Sequence, residues 1–329
     1  MVGPRIVIAG SGSIGCFVGG CLADAGHDVA FLGRATVLDG IRDQGLRLTD
    51  FTGLAVAVHP ATLSDDPAIL GEADLILVTV KSGATSEMAE LIATHAQGSA
   101  TIVSLQNGME NAAMLKDRLP DSDVRAGMVP FNVVPKGPGA YHRATSGEIA
   151  IAAGPGEWAA LLSTAALPIT ETDRIEAVQW AKLLLNLTNA INALSGLPLP
   201  EMLRARPWRL LMADQMAEAL RVLKAAGIPV QSSAPVPMSW VPRILRLPTP
   251  LYTRVAAGML TIDPEARTSM AYDLMAGRLT EVDQLQGRIL ELARNRRIAT
   301  PVIAAVHRAV KSAEAGGTTP LNPAQIRAA

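Results

Sequence analysis

Arg5-Ile6-Val7-Ile8-Ala9-Gly10-Ser11-Gly12-Ser13-Ile14-Gly15 is the stretch that decides the fold class. Residues 5–9 read as a short β-branched strand. The next six fit G-x-G-x-x-G, and residues 14–25 carry the apolar content of a helix closed by Gly26. The glycine string alone is weak, because small residues at that spacing recur by chance. Placed after a strand and at the start of a helix, it has the context a dinucleotide turn requires. The first glycine then permits the tight turn, and the second lets the backbone approach a pyrophosphate. The third brings the helix onto the sheet, with its N-terminus facing the anion. Gly10, Ser11, Gly12, Ser13, Ile14 and Gly15 are accordingly the candidate cofactor-binding residues. The plainer alternative is a strand–helix turn that holds no ligand.

The alternation continues outward from this turn. Strands are expected at 28–32, 56–59, 73–80, 101–105 and 124–130, and helices at 86–95 and 110–119. Near-continuous apolar strands such as Leu75-Ile76-Leu77-Val78-Thr79-Val80, separated by helices, mean a parallel sheet covered on both faces. Residues 141–153 alternate behind the turn-rich Pro135-Lys136-Gly137-Pro138-Gly139 and suggest an antiparallel extension. From Val178 onward the pattern is helical, at 178–194, 208–226, 280–295 and 301–314. Gly196 and Gly227 fall at C-cap positions, and Pro301 falls at a helix start. A connection dense in Pro229, Pro235, Pro237, Pro242, Pro248 and Pro250 should hold short helices around Trp240 and Tyr252. The expectation is a Rossmann-type, doubly wound α/β N-terminal domain over 1–172 and an all-α domain over 173–316. A loose tail over 317–329 completes the chain.

Composition narrows the function. The 329 residues are 49% apolar and 18% charged, enough to bury a large core. With 29 Lys and Arg against 30 Asp and Glu, the net charge is −1, and aromatics are 3%. Neither a nucleic-acid footprint nor a base-stacking surface is expected from such a balance. No apolar run reaches the ~18 residues of a spanning helix, so no membrane association is expected. Cys16 and Cys21 share one expected helix and make neither a disulfide framework nor a zinc site, which suggests a reducing, cytoplasmic setting.

The second strand points to one cofactor. A site selective for NAD carries Asp or Glu at the end of that strand, to accept from the ribose hydroxyls. Here the strand ends Phe31-Leu32-Gly33-Arg34, with no carboxylate before Asp39. A guanidinium suits a 2′-phosphate, so Arg34 favours NADPH, although a solvated surface arginine is the alternative. Lys81 and Gln106-Asn107-Gly108 follow the ends of two further strands, where ligands bind in open α/β sheets.

The helix Val178-Gln179-Trp180-Ala181-Lys182-Leu183-Leu184-Leu185-Asn186-Leu187-Thr188-Asn189 is the informative stretch of the second half. At about 100° per residue, Asn186 and Asn189 fall within about 40° of Lys182. Leu183, Leu184, Leu185 and Leu187 are too apolar for a solvent-facing helix, so the polar stripe suits a pocket wall. Hydride reduction of a ketone builds negative charge on oxygen, which a nearby cationic donor stabilises and protonates. His27, His59, His95, His142 and His307 fall in no arrangement offering a better donor. A surface lysine with its stem on leucines is the alternative.

Together the glycine turn with Arg34, Gln106-Asn107-Gly108-Met109 and Trp180-Ala181-Lys182-Leu183 with Asn186 resemble the ketopantoate reductase (2-dehydropantoate 2-reductase) family. So does Thr268-Ser269-Met270-Ala271-Tyr272-Asp273 followed by Thr280-Glu281-Val282-Asp283. The resemblance runs from about Pro4 to Pro301. It implies NADPH-dependent reduction of a 2-keto acid to a 2-hydroxy acid, ketopantoate to pantoate first among them. It also implies Lys182 as general acid, Glu281 in the active site, and Asn186 and Ser269 on substrate. Lys81 and Asn107 match residues near cofactor and substrate. On the residues alone, Glu281 and Ser269 read as helix-start groups. Family members carry a second asparagine where this chain has Ala190, and Asn189 could replace it. Another NADPH-linked dehydrogenase acting on a different keto acid or an imine, and a non-catalytic NADPH sensor, stay open. A homodimer is compatible with a helical second domain, but no residue marks its surface.

Overall fold

The computed structural model describes residues 3–232, 236–257 and 265–329. The chain forms two compact units, Met1–Glu176 and Ala177–Ala329.

The N-terminal unit contains strands β1 (Arg5–Ala9), β2 (Asp28–Leu32), β3 (Leu46–Asp50), β4 (Ala55–Val58), β5 (Thr62–Ser64) and β6 (Leu75–Val78). They are followed by β7 (Thr101–Ser104), β8 (Asp123–Met128), β9 (Val133–Gly137), β10 (Ala140–Arg143), β11 (Ile149–Ala152) and β12 (Ile169–Thr172). Its helices are α1 (Ser13–Asp24), α2 (Ala35–Gln44), α3 (Thr85–His95), α4 (Asn111–Arg118) and α5 (Trp158–Leu162). Eight strands form one sheet in the order β12-β11-β8-β7-β6-β1-β2-β5. The run from β8 to β5 is parallel, while β11 is antiparallel to β8. The strand order reverses beside β1, the place where doubly wound sheets open a ligand crevice.

β1 shows why the parallel strands lack alternation. Ile6 and Ile8 pack with Phe17 and Phe31 in one core, and Val7 and Ala9 with Ile76 and Ile92 in the other. Successive side chains point to opposite faces, and helices cover both. Full burial of each isoleucine, valine or phenylalanine among them contributes ~1.5–3 kcal/mol.

Two strand expectations change. The segment expected at 56–59 is β4, and it belongs to a separate sheet ordered β4-β3-β10-β9. The place beside β2 is taken instead by β5, three residues long and too short to show a period. Residues 141–153 split: β10 joins the small sheet, and only β11 extends the main sheet in antiparallel fashion. Arg143 fixes the small sheet to the core. It pairs with Asp50, donates to the Ala166 carbonyl at 2.8 Å, and lies 5.3 Å from the Phe17 ring centre. Burial would raise the Asp50 carboxyl, but Arg143 and the N–H groups of Leu54 and Thr52 hold it well below the usual carboxylate range.

The C-terminal unit is helical. α6 (Ile175–Asn186), which begins just before the boundary, is followed by α7 (Thr188–Ser195), α8 (Leu199–Arg204), α9 (Arg206–Ala225), α10 (Val241–Arg246) and α11 (Thr249–Val255). Then come α12 (Ser269–Met275), α13 (Arg288–Arg296), α14 (Pro301–Glu314) and α15 (Pro323–Ala328). The expected helix over 178–194 is divided at Leu187 into α6 and α7. The proline-dense connection holds a short turn at Met238–Trp240 and then α10 and α11, as expected around Trp240 and Tyr252. Pro235 lies outside the described residues. Fully buried Arg209 anchors the connection by donating to the carbonyls of Leu203, Arg204, Leu245 and Leu247 and to Thr249 Oγ1.

The segment after Gly316 is not loose. Asn322 and Gln325 cap α15 reciprocally, and Ile326 is buried. Both cysteines are buried and free. No described helix is long and apolar enough to cross a membrane.

Candidate active site

The glycine turn closes tightly on two sides and opens on a third. Gly10 has φ of +119°, and a Cβ there would lie 2.7 Å from the backbone nitrogen of Val80. A Cβ on Gly15 would lie 2.2 Å from the Gly10 carbonyl oxygen, so only hydrogen lets α1 approach the turn. Gly12 differs: nothing lies within 4 Å of where its Cβ would be. α1 begins after Gly12 with no side-chain cap and no acidic residue in its first turn. Unfilled space beside an uncapped helix N-terminus fits the pyrophosphate of a dinucleotide.

The other residues of the turn divide their roles. Ser11 directs both its N–H and its hydroxyl to the Leu32 carbonyl, at 3.1 and 3.0 Å, and so ties the turn to the end of β2. Ile14 packs its side chain against the core, and Ser13 opens α1. Gly33, which no sequence motif singles out, is required here because a Cβ would fall 2.5 Å from Ser11 Oγ. Arg34 follows as the exposed residue before α2, at the end of β2 where a ribose substituent would be read.

Lys81 and Asn107 sit on the next two loops, which one buried network joins. Gln106 accepts from Ser104 Oγ at 3.0 Å and donates to the Val80 carbonyl at 3.0 Å and to Thr85 Oγ1 at 2.7 Å. The Asn107 carbonyl accepts from Ser82 Oγ at 3.0 Å and from Asn111 Nδ2 at 2.6 Å. Thr79 Oγ1 donates to the Gly10 carbonyl at 2.6 Å, linking these loops to the glycine turn. Gln106 and Asn111 therefore hold Lys81 and Asn107 in place. The Gln-Asn-Gly string hinted at the first of them, but nothing local marked Asn111.

In the C-terminal unit, Lys182 lies on α6 between buried Ala181 and buried Leu183 and Leu184. The residue keeps partial exposure, but its ammonium is desolvated. Burial pushes its pKa down to about 8, and the Glu281 carboxylate opposes that shift. Asn186 is the last residue of α6, and Asn189 lies in the first turn of α7, each half-buried. Leu185 is 45% exposed, so that one leucine does not share the burial expected of the helix.

Two clamps hold the remaining candidates. Thr268 donates its N–H to Asn192 Oδ1 at 3.0 Å, and its hydroxyl lies 3.2 Å from the Asn189 carbonyl. Ser269, next in the chain, thereby starts α12 beside α7. Asn192 was not among the expected residues, although Asn186, Asn189 and Asn192 recur every third position. Thr280 donates its N–H and hydroxyl to Glu314 Oε1 at 2.8 and 2.7 Å and accepts from the Val282 N–H at 3.2 Å. Glu281 is held between these anchored neighbours. Among the described residues no group of His, Cys, Asp and Glu could hold a metal ion.

A family model described as "Ketopantoate reductase PanE/ApbA" matches residues 6–156, and its C-terminal counterpart matches residues 174–314. The chain belongs to the ketopantoate reductase family. It is an oxidoreductase of that family. A 2-dehydropantoate 2-reductase of Halobacterium salinarum is 30% identical over 95% of this chain and 100% of its own length. The crystal structure of a PanE/ApbA family ketopantoate reductase from Ralstonia eutropha JMP134 superposes with a TM-score of 0.80 at 31% identity, covering 95% of this chain and 99% of that one. D-mandelate dehydrogenase with NADH and anilino(oxo)acetate shares the fold, with a TM-score of 0.78 at 21% identity and coverage of 95% and 99%.

Proposed function

We propose that this family member reduces a 2-keto acid to the 2-hydroxy acid with NADPH, ketopantoate being the first substrate to test. One observation carries the reading: a desolvated Lys182 ammonium balanced by Glu281, in a family whose relatives are named for 2-dehydropantoate reduction. The glycine turn would hold the dinucleotide, which when bound supplies a hydride. Lys182 provides the proton for the carbonyl oxygen. Burial brings its acidity closer to neutrality, which favours general-acid transfer, while Glu281 keeps it charged. Asn186, Asn189 and Ser269 offer polar groups to the carboxylate and hydroxyl ends of the substrate. Lys81 and Asn107 stand at strand ends near the turn. Arg34, with no carboxylate at the end of β2, supports NADPH over NADH. Buried free thiols accord with a cytoplasmic setting.

The test follows NADPH absorbance with ketopantoate and a panel of other keto acids, with and without amines. Lys182→Ala should retain NADPH binding and lose about 10² or more in turnover; full turnover in that variant would eliminate the mechanism. Arg34→Ala should weaken NADPH selectively, and equal NADH and NADPH affinities in the native protein would refute the cofactor assignment. Tight NADPH binding with no oxidation by any carbonyl compound would favour a sensor instead.

A further inference from the structure

Two glutamines that the proposed mechanism does not use meet where α6 gives way to α7. Gln215 on α9 and Gln286 are 1% and 0% exposed. Each donates Nε2 to the Leu187 carbonyl at 2.9 Å, and Gln286 Nε2 also lies 3.4 Å from Gln215 Oε1. Those acceptors fix the Gln286 amide, because the flipped group would set its oxygen against two others. In this orientation Gln286 Oε1 is buried without a hydrogen-bond partner among the described residues. An orphaned buried acceptor is unfavourable, and an apolar side chain of similar shape would avoid it. Stability alone does not account for this residue.

Its position does. Leu187 directly follows Asn186 and separates the lysine helix from the turn bearing Asn189. Gln286 lies in a π turn, Asp283–Gly287, that begins two residues after Glu281. Such widened turns are rare and recur at functional sites. One amide therefore links the end of the segment carrying Lys182 and Asn186 to the start of the segment carrying Glu281. We propose that Gln286, with Gln215 beside it, is a positioning residue that sets the end of the lysine helix against the Glu281 segment through the Leu187 carbonyl. The proposal rests on Lys182 being the proton donor.

The experiment compares Gln286→Met, Asn186→Ala, the double variant and Lys182→Ala in the full chain. Gln286→Met should lower kcat about ten- to a hundredfold, as a small misplacement of catalytic groups does. Its NADPH affinity should be unchanged and its melting temperature equal to or above the native value. In the Asn186→Ala background the same substitution should have a much smaller effect, because both act through one junction. Native kcat in Gln286→Met would overturn the proposal, as would an equal loss in both backgrounds or a parallel loss of stability and NADPH binding. Should Gln286→Met not fold, Gln215→Met takes its place, with a smaller fall in kcat expected and native kcat overturning the proposal. An active Lys182→Ala would instead remove the underlying mechanism, so the two failures are distinguishable.

Discussion

Lys182 couples reactivity to stability through one proton. In the proposed role of proton donor it must be charged, so kcat/KM should fall as pH rises through about 8. The stability effect runs the other way. The folded pKa lies below the ordinary 10.5, so between about 8 and 10.5 the unfolded chain holds the extra proton and stability rises with pH. Below about 8 the full penalty of the buried ammonium is present, and each tenfold loss of proton affinity on folding is worth about 1.4 kcal/mol. Lys182→Met should therefore be more stable than the native protein in urea at pH 7, with the advantage shrinking toward pH 10; a less stable variant at pH 7 would contradict the burial argument. The lysine was legible because a cation stood among leucines. The reading of Asn189 onto its face assumes an unbroken helix; at the break the Leu187 carbonyl accepts from Gln215 and Gln286, distant residues that no local period reveals.

Among elements, the glycine turn separates fold from function. Gly15→Ala forces a methyl onto the Gly10 carbonyl and should lower the melting temperature sharply. Gly12→Ala meets open space at an ordinary φ of −82° and should leave the melting temperature near native. Dinucleotide affinity in that variant should still fall at least about tenfold, or about 1.4 kcal/mol. Calorimetry and a fluorescence titration check the pair, and native affinity in Gly12→Ala would place the pyrophosphate elsewhere. The turn was readable because its requirements are local and steric. Gly33 was not, because its need for hydrogen comes from Ser11 across the strand ends. Likewise β4 could be recognised as a strand, but its membership of the small sheet depends on pairing partners far along the chain.

For the whole chain, apolar patterning makes the change from α/β to α legible, and the fold has that order. The last segment was misjudged because its polar, proline-bearing composition resembles a tail. Its contribution rests on buried Ile326, the reciprocal cap, the Leu321 N–H donated to the Leu194 carbonyl and the Arg327–Asp214 ion pair. Ending the chain after Gly316 should remove Ile326 from the C-terminal unit and cost about 2–5 kcal/mol, as loss of a buried aliphatic side chain does. Thermal unfolding would show it, and an unchanged transition would mean that α15 contributes nothing to the unit. At this scale the small sheet also constrains biosynthesis. The β3–β4 hairpin emerges early, whereas Arg143, which neutralises Asp50, is added 93 positions later. Until then a nascent chain carries a bare hairpin edge, open to mispairing, and an Asp50 carboxylate held only by Thr52 and Leu54 of its own hairpin.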